Sequence, residues 1–170
     1  LHSLDFYCKI IFNMSHIHEK IDFTAEIFIV DRDKVLLRKH DKYKKWFAVG
    51  GHIELDEEPE QAAVREAKEE VGLDVELVPN EDSYQPRERD GFKELIAPRY
   101  MNRHRINETH DHITMVFFAR ALSHDIVNEG REKSEEIRWF TREELHDAGF
   151  GVPEDITRYA EKALGTLSGR

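Results

Sequence analysis

Apolar, β-branched and aromatic residues crowd two stretches near the start of the chain. Phe23 to Val30 (FTAEIFIV) and Lys34 to Arg38 (KVLLR) predict two strands joined through the turn Asp31-Arg32-Asp33. A basic loop, His40 to Lys45, follows and is closed by Trp46, and Phe47 to Glu54 is strand-like around a Gly-Gly pair. The period then changes. From Pro59 to Val71 the apolar positions Ala63, Val64, Ala67 and Val71 share one helical face, Pro59 suits the first turn, and Gly72 is placed to end the helix. Glu58 is a weak cap, so fraying is expected at that end. Further strands are predicted at Asp74–Val78, Glu94–Tyr100, His112–Leu122 and Ile137–Phe140, with Pro79 to Lys93 as a long loop. A small helix is expected at Arg142–His146. A terminal amphipathic helix is expected at Pro153–Leu167, with Ile156, Tyr159, Ala160, Ala163, Leu164 and Leu167 on its buried side. Strands and helices alternate irregularly, which predicts an α/β domain with a mixed sheet covered by helices, not a regular βαβ array.

The bulk numbers narrow the function classes. A chain of 170 residues with 39% hydrophobic and 35% charged residues suits one soluble domain. Residues 20–170 are read as that domain and residues 1–19 as an N-terminal extension; Leu1 to Asn13 precede Met14 and lack the pattern of a signal peptide. No apolar run approaches a membrane span. A net charge of −10 argues against a stable nucleic-acid complex held by bulk attraction, so a polyanionic substrate needs local cations. Cys8 is the only cysteine, which rules out an intramolecular disulfide within this sequence and fits a reducing, cytoplasmic setting. Monomer and homodimer both stay open.

Candidate chemistry concentrates in one place. Glu66, Glu69 and Glu70 fall within roughly 100° of arc on the predicted helix. Like charges so spaced cost roughly 0.2–0.5 kcal/mol per pair, so a cation is expected against them. A hard divalent ion with oxygen ligands, Mg²⁺ or Mn²⁺, is the natural partner.

Read from Gly51, the chain gives five residues, Glu57, seven residues, then Arg65-Glu66-Ala67-Lys68-Glu69-Glu70-Val71-Gly72-Leu73. This resembles the Nudix box, G-x5-E-x7-R-E-U-x-E-E-x-G-U, at every fixed position, with Ala67 a small choice for the first bulky one. The resemblance implies an α/β/α sandwich with a mixed β-sheet. It implies metal-dependent hydrolysis of a pyrophosphate bond in a nucleoside diphosphate linked to another group. Glu69 and Glu70 become metal ligands, Glu66 a further ligand or the base that takes the proton of water, and a backbone carbonyl at Gly50 or Gly51 completes a metal site. Arg65 and Glu57 become the supporting pair. A nucleoside triphosphate or similar small nucleotide derivative is the favoured substrate. The rival reading is a non-catalytic nucleotide-binding module of the same fold. Val49 stands where many members carry proline, and the positions that sort substrate subclasses hold Glu88 and Asp90, which match none of them.

Outside the box the candidates compete with plainer readings. His104, His110 and His112 could bind phosphate, act as a base or hold a metal; otherwise they are polar strand-end residues. With no cysteine beside them, and a carboxylate-rich motif nearby, zinc is not expected. Arg38, Lys39, Lys42, Lys44 and Lys45 could contact substrate phosphates or form a solvated basic loop. Trp46 and Phe47 are expected in the core more than stacked on a base. Glu135 or Glu136 could join the metals. Tyr84, Arg87 and Arg89 lie in the long loop, where specificity often resides.

Overall fold

The computed structural model describes residues 20–80, 87–127 and 134–168. Residues 1–19 and Tyr84 therefore lie outside the described residues. Strands β1 (Ile21–Asp31), β2 (Lys34–His40), β3 (Trp46–Phe47) and β4 (Val49–His52) precede helix α1 (Pro59–Val71). Next come β5 (Val75–Leu77), β6 (Glu88–Arg89), β7 (Phe92–Lys93), β8 (Tyr100–Arg105), β9 (Asp111–Ala121) and β10 (Ser134–Phe140). A single 3₁₀ turn (Glu144–His146) leads to α2 (Glu154–Leu167).

The main sheet runs β10-β2-β1-β9-β5, with β3 on β2, β4 on β1 and β8 on β9. Its pairings are antiparallel except at the centre, where β1 and β9 run parallel from Ile21↔Asp111 to Val30↔Arg120. The pleat sorts each strand's side chains between two cores. Ala25, Ile27 and Ile29 of β1 join Leu36, Val49, Phe117 and the apolar side of α1. Phe28 and Val30 turn the other way, to Val35, Leu37, Phe118 and the α2 residues Ile156, Tyr159, Ala160, Ala163, Leu164 and Leu167. Each buried Val, Leu, Ile or Phe side chain among them contributes about 1.5–3 kcal/mol. The result is the expected sandwich: α1, mixed sheet, α2.

One detail positions the site. β2 pairs with β1 only beside the turn, at Val30↔Val35 and Asp31↔Lys34, and β4 takes its place along Thr24–Ile27. There a Cβ on Gly50 would lie 2.3 Å from the Ala25 carbonyl oxygen and 2.9 Å from the Glu26 Cα. Backbone cannot yield as a flexible side chain would, so only glycine lets β4 reach β1 here.

Four expectations need correction. Glu94–Tyr100 is not a strand; the strand starts at Tyr100 and runs to Arg105. Pro98 lacks an N–H and restricts the residue before it. Ile96 donates its N–H to Glu60 Oε2 (2.6 Å), which ties this irregular segment to the start of α1. The Pro79–Lys93 stretch contains the β6–β7 hairpin, turned by Asp90 and Gly91 with φ of 50° and 82°. Asp-Gly is a strong signal for such a turn, and it was readable. The start of α1 is also better capped than Glu58 alone suggests. Gln61 Oε1 accepts the Glu58 N–H at 2.9 Å, and Lys93 pairs with the Glu58 carboxylate. The buried side of α1 is rotated too: Ala62 is fully buried and Val64 is 39% exposed.

Gly50→Ala should lower the unfolding free energy by about 1–3 kcal/mol in chemical denaturation, from overpacking against β1. An unchanged midpoint would show that β1 and β4 can separate.

Candidate active site

Helix α1 and the Gly50–Gly51 backbone of β4 bring the glutamates together. A Cβ on Gly51 would sit 2.3 Å from Glu66 Oε1, so the carboxylate occupies the space that glycine leaves. Arg65 organises the helix side. Its Nε and Nη2 donate to Glu57 Oε2 (3.0 Å) and Oε1 (2.6 Å), a two-pronged grip. Nη1 donates to Glu66 Oε1 (2.8 Å) and Glu69 Oε2 (3.2 Å), and Nη2 also donates to the His52 carbonyl (3.0 Å). Burial pushes the Glu57 carboxyl up, but hydrogen bonds from Arg65 and the Glu54 N–H bring it below the usual range. The same carboxylates raise the pKa of Arg65, Glu57 first.

Glu70 is set apart from its two neighbours. It is 4% exposed, while the Glu69 side chain is 45% exposed. Glu70 Oε2 accepts the Gly50 N–H at 3.0 Å, and Oε1 is paired with the Arg38 guanidinium. Arg38 reaches it because the β2 pleat turns Leu36 and Arg38 to the α1 side. Its Nε donates to Ser134 Oγ of β10 at 2.9 Å.

Arg38, expected at a substrate phosphate, is 3% exposed and engaged by Glu70. Lys45 is exposed in the loop after β2. Lys39 and Lys44 each pair with Glu135 at 3.2 Å, and they hold its carboxyl below the usual range. Trp46 is core: 3% exposed, edge-on to Phe140, with Nε1 donating to the Phe150 carbonyl. Arg87 and Arg89 are exposed at the β6–β7 hairpin, away from any contact with the glutamates among the described bonds.

On the opposite face of the sheet stands a group the sequence revealed only in part. His110 is buried, with Nε2 3.3 Å from Asp22 Oδ2, and His52 Nε2 is 3.2 Å from the same oxygen. The His112 ring lies 4.9 Å from that of His52, 5.5 Å from His104 and 5.3 Å from His110. Burial, then His52, His104 and His110 in turn, lower the His112 pKa to about 4. Asp22 and His52 escaped notice because nothing local marks them; only the β1–β9 and β1–β4 registers bring them to His112. Farther along this face, burial and then the Asp155 charge raise the Glu26 carboxyl from 4.5 to about 7.

The donors on α1 suit a hard divalent ion: they are oxygens alone, carried on a rigid helix, with glycine backbone opposite. A model of the NUDIX domain matches residues 22–160. The chain belongs to the Nudix hydrolase family, whose members use divalent metal ions. It resembles a Nudix-family hydrolase from Clostridium perfringens, 36% identical over 86% of this chain and 98% of that one, with a TM-score of 0.75. It shares the fold of a MutT Nudix hydrolase from Burkholderia pseudomallei, at 19% identity, 88% and 100% coverage and a TM-score of 0.58. Nudix hydrolase 19, chloroplastic, from Arabidopsis thaliana is 29% identical over 136 residues, which are 78% of this chain but 27% of that protein. The chain thus spans about a quarter of the plant protein's length. No helix among the described residues is long and apolar enough to cross a membrane.

Arg38→Met should destabilise the fold by about 3–5 kcal/mol in urea unfolding at neutral pH, because it leaves Glu70 buried without its guanidinium. A loss below 1 kcal/mol would show that the pair is dispensable. Glu26 titrates in the opposite sense from a salt-bridged acid. Its pKa is raised on folding, so its contribution is fully present below 4.5 and is lost as pH rises through about 7. Glu26→Gln should remove that slope and make the protein more stable than the parent above pH 7, by on the order of 2 kcal/mol. Parallel stability–pH curves for the two proteins would refute the assignment.

Proposed function

We propose that the chain hydrolyses a pyrophosphate bond in a nucleoside diphosphate linked to another group. A nucleoside triphosphate or similar nucleotide derivative is the favoured substrate, and Mg²⁺ or Mn²⁺ is held by Glu66, Glu69 and Glu70. The observation that carries this reading is the carboxylate face of α1, set against Gly50–Gly51 and braced by Arg65 and Arg38. A hard divalent ion there would neutralise phosphate oxygens and acidify the attacking water.

The chain's own groups divide the remaining work. Glu70 takes the Gly50 N–H and Arg38 on its two oxygens, which keeps the glycine backbone at a set distance from the helix, and would join the ligand set through its remaining lone pairs. Glu57 fixes Arg65, and Arg65 fixes Glu66 and Glu69, so the acids are oriented before substrate arrives. Glu66, beside the Gly51 backbone, serves as ligand or accepts the proton of water. Glu69 is the acid open to solvent and to phosphate-bound metal. Lys45, exposed on the neighbouring loop, is the local cation for substrate phosphate. Arg38 and His110, both buried, are not assigned to substrate.

A nucleotide panel with Mg²⁺ or Mn²⁺ and product identification tests this directly. Cleavage between phosphoryl groups is expected; chelator abolishes it and metal restores it. Glu66→Gln and Glu69→Gln should each lower kcat by about a hundredfold or more with unchanged circular dichroism. Tight nucleotide binding without cleavage of any panel member would replace this reading by a binding module.

A further inference from the structure

We propose that Asp22, His52 and His112, bordered by His110, form a second metal site. It would take a borderline divalent transition ion of the Zn²⁺ type, on the face of the sheet opposite the glutamates.

The strand pleat accounts for the separation. Gly51 of β4 faces Glu66 on α1. His52 is the next residue, so its side chain leaves on the other side. There β4 pairs His52 with Thr24, β9 pairs His112 with Asp22, and β8 pairs His104 with His112. Donor atoms from three strands, one each on Asp22, His52 and His112, lie within 4.8 Å of one another. Ligands around a tetrahedral ion with bonds of about 2.0–2.1 Å stand about 3.3–3.5 Å apart. One edge already matches that figure: Asp22 Oδ2 to His52 Nε2 at 3.2 Å.

Charge and chemistry favour an ion over a plain proton network. Asp22 is fully buried, and a single imidazolium would balance its carboxylate form. His52 and His110 lie 3.2 and 3.3 Å from its Oδ2 with His112 beside them, and a second protonated ring within about 5 Å of the first is repelled. A metal ion satisfies several neutral imidazoles and the carboxylate together. Imidazole and carboxylate select Zn²⁺, Co²⁺ or Ni²⁺, whereas Mg²⁺ and Mn²⁺ prefer the all-oxygen face of α1. Asp22 and His52 add a carboxylate and an imidazole to the histidines for which zinc was not expected. An ion here would tie β1, β4 and β9 together and add to stability by linkage. The proposal does not depend on the hydrolase reading.

Co²⁺ is the probe, titrated into chelator-treated full-length protein. The wild type should bind one more ion than the α1 site takes, with the strong visible absorption of four-coordinate Co²⁺, displaced by Zn²⁺. The Glu66→Gln/Glu69→Gln double variant should keep that absorption. His52→Ala and His112→Ala should lose it or weaken binding more than about tenfold, with folding checked by circular dichroism. The proposal is overturned if wild-type Co²⁺ shows only the weak spectrum of six-coordinate ion. It is equally overturned if the absorption survives in a folded His112→Ala protein, or disappears in the double glutamate variant. If neither histidine variant folds, the wild-type spectrum and the double variant still decide.

Discussion

The buried contact between Arg38 and Glu70 is the constraint on which the rest of the arrangement turns. It joins β2 to α1 across the sheet face, and through Ser134 it reaches β10. The second oxygen of Glu70 holds the Gly50 N–H, so one carboxylate sets the spacing between helix and glycine backbone. A buried ion pair of this kind is a weak source of net stability, but it is costly to break on one side only. Its value is in position. Glu66 and Glu69 can be presented at a fixed height because Glu70, on the same helix, is already fastened below them.

The acids are managed by two arginines in different ways. Arg38 is withdrawn from solvent and pairs with Glu70. Arg65 is partly open and divides its five donors among Glu57, Glu66, Glu69 and the His52 carbonyl. The crowding that makes three glutamates unfavourable on an isolated helix is thereby offset without filling the space in front of them. The chain is acidic overall, with a net charge of −10, and Arg38 and Arg65 are the cations that restrain the acids of α1.

Much of this was legible in the residues. The helix from Pro59 to Val71, its glycine stop at Gly72 and the flanking strands follow from local pattern, and the Arg65–Glu57 contact that the family resemblance implies is present as an ion pair. What was hidden depended on partners distant in the chain. Arg38 looks like one more cation of a basic loop until the pleat of β2 turns it inward. Asp22 and His52 are unremarkable until β1, β4 and β9 align. The misplaced strand at Glu94–Tyr100 has a different cause: its apolar residues Leu95 and Ile96 look β-like, but Pro98 and the Ile96–Glu60 bond hold the backbone elsewhere. The Asp90-Gly91 turn, by contrast, carries its signal locally.

The parallel seam between β1 and β9 has a consequence for how the protein is made. Thr24 and Thr114 share a hydrogen bond across 90 residues of chain. On the ribosome, the acidic helix emerges long before the strand that completes the sheet beneath it. Contacts so distant along the chain slow folding, because a large loop must close before any of them is gained. Until β9 arrives, one edge of β1 remains bare, a template for pairing with another chain. The nascent polypeptide is therefore most in need of protection while its chemistry-bearing segment is already built but its central seam is not.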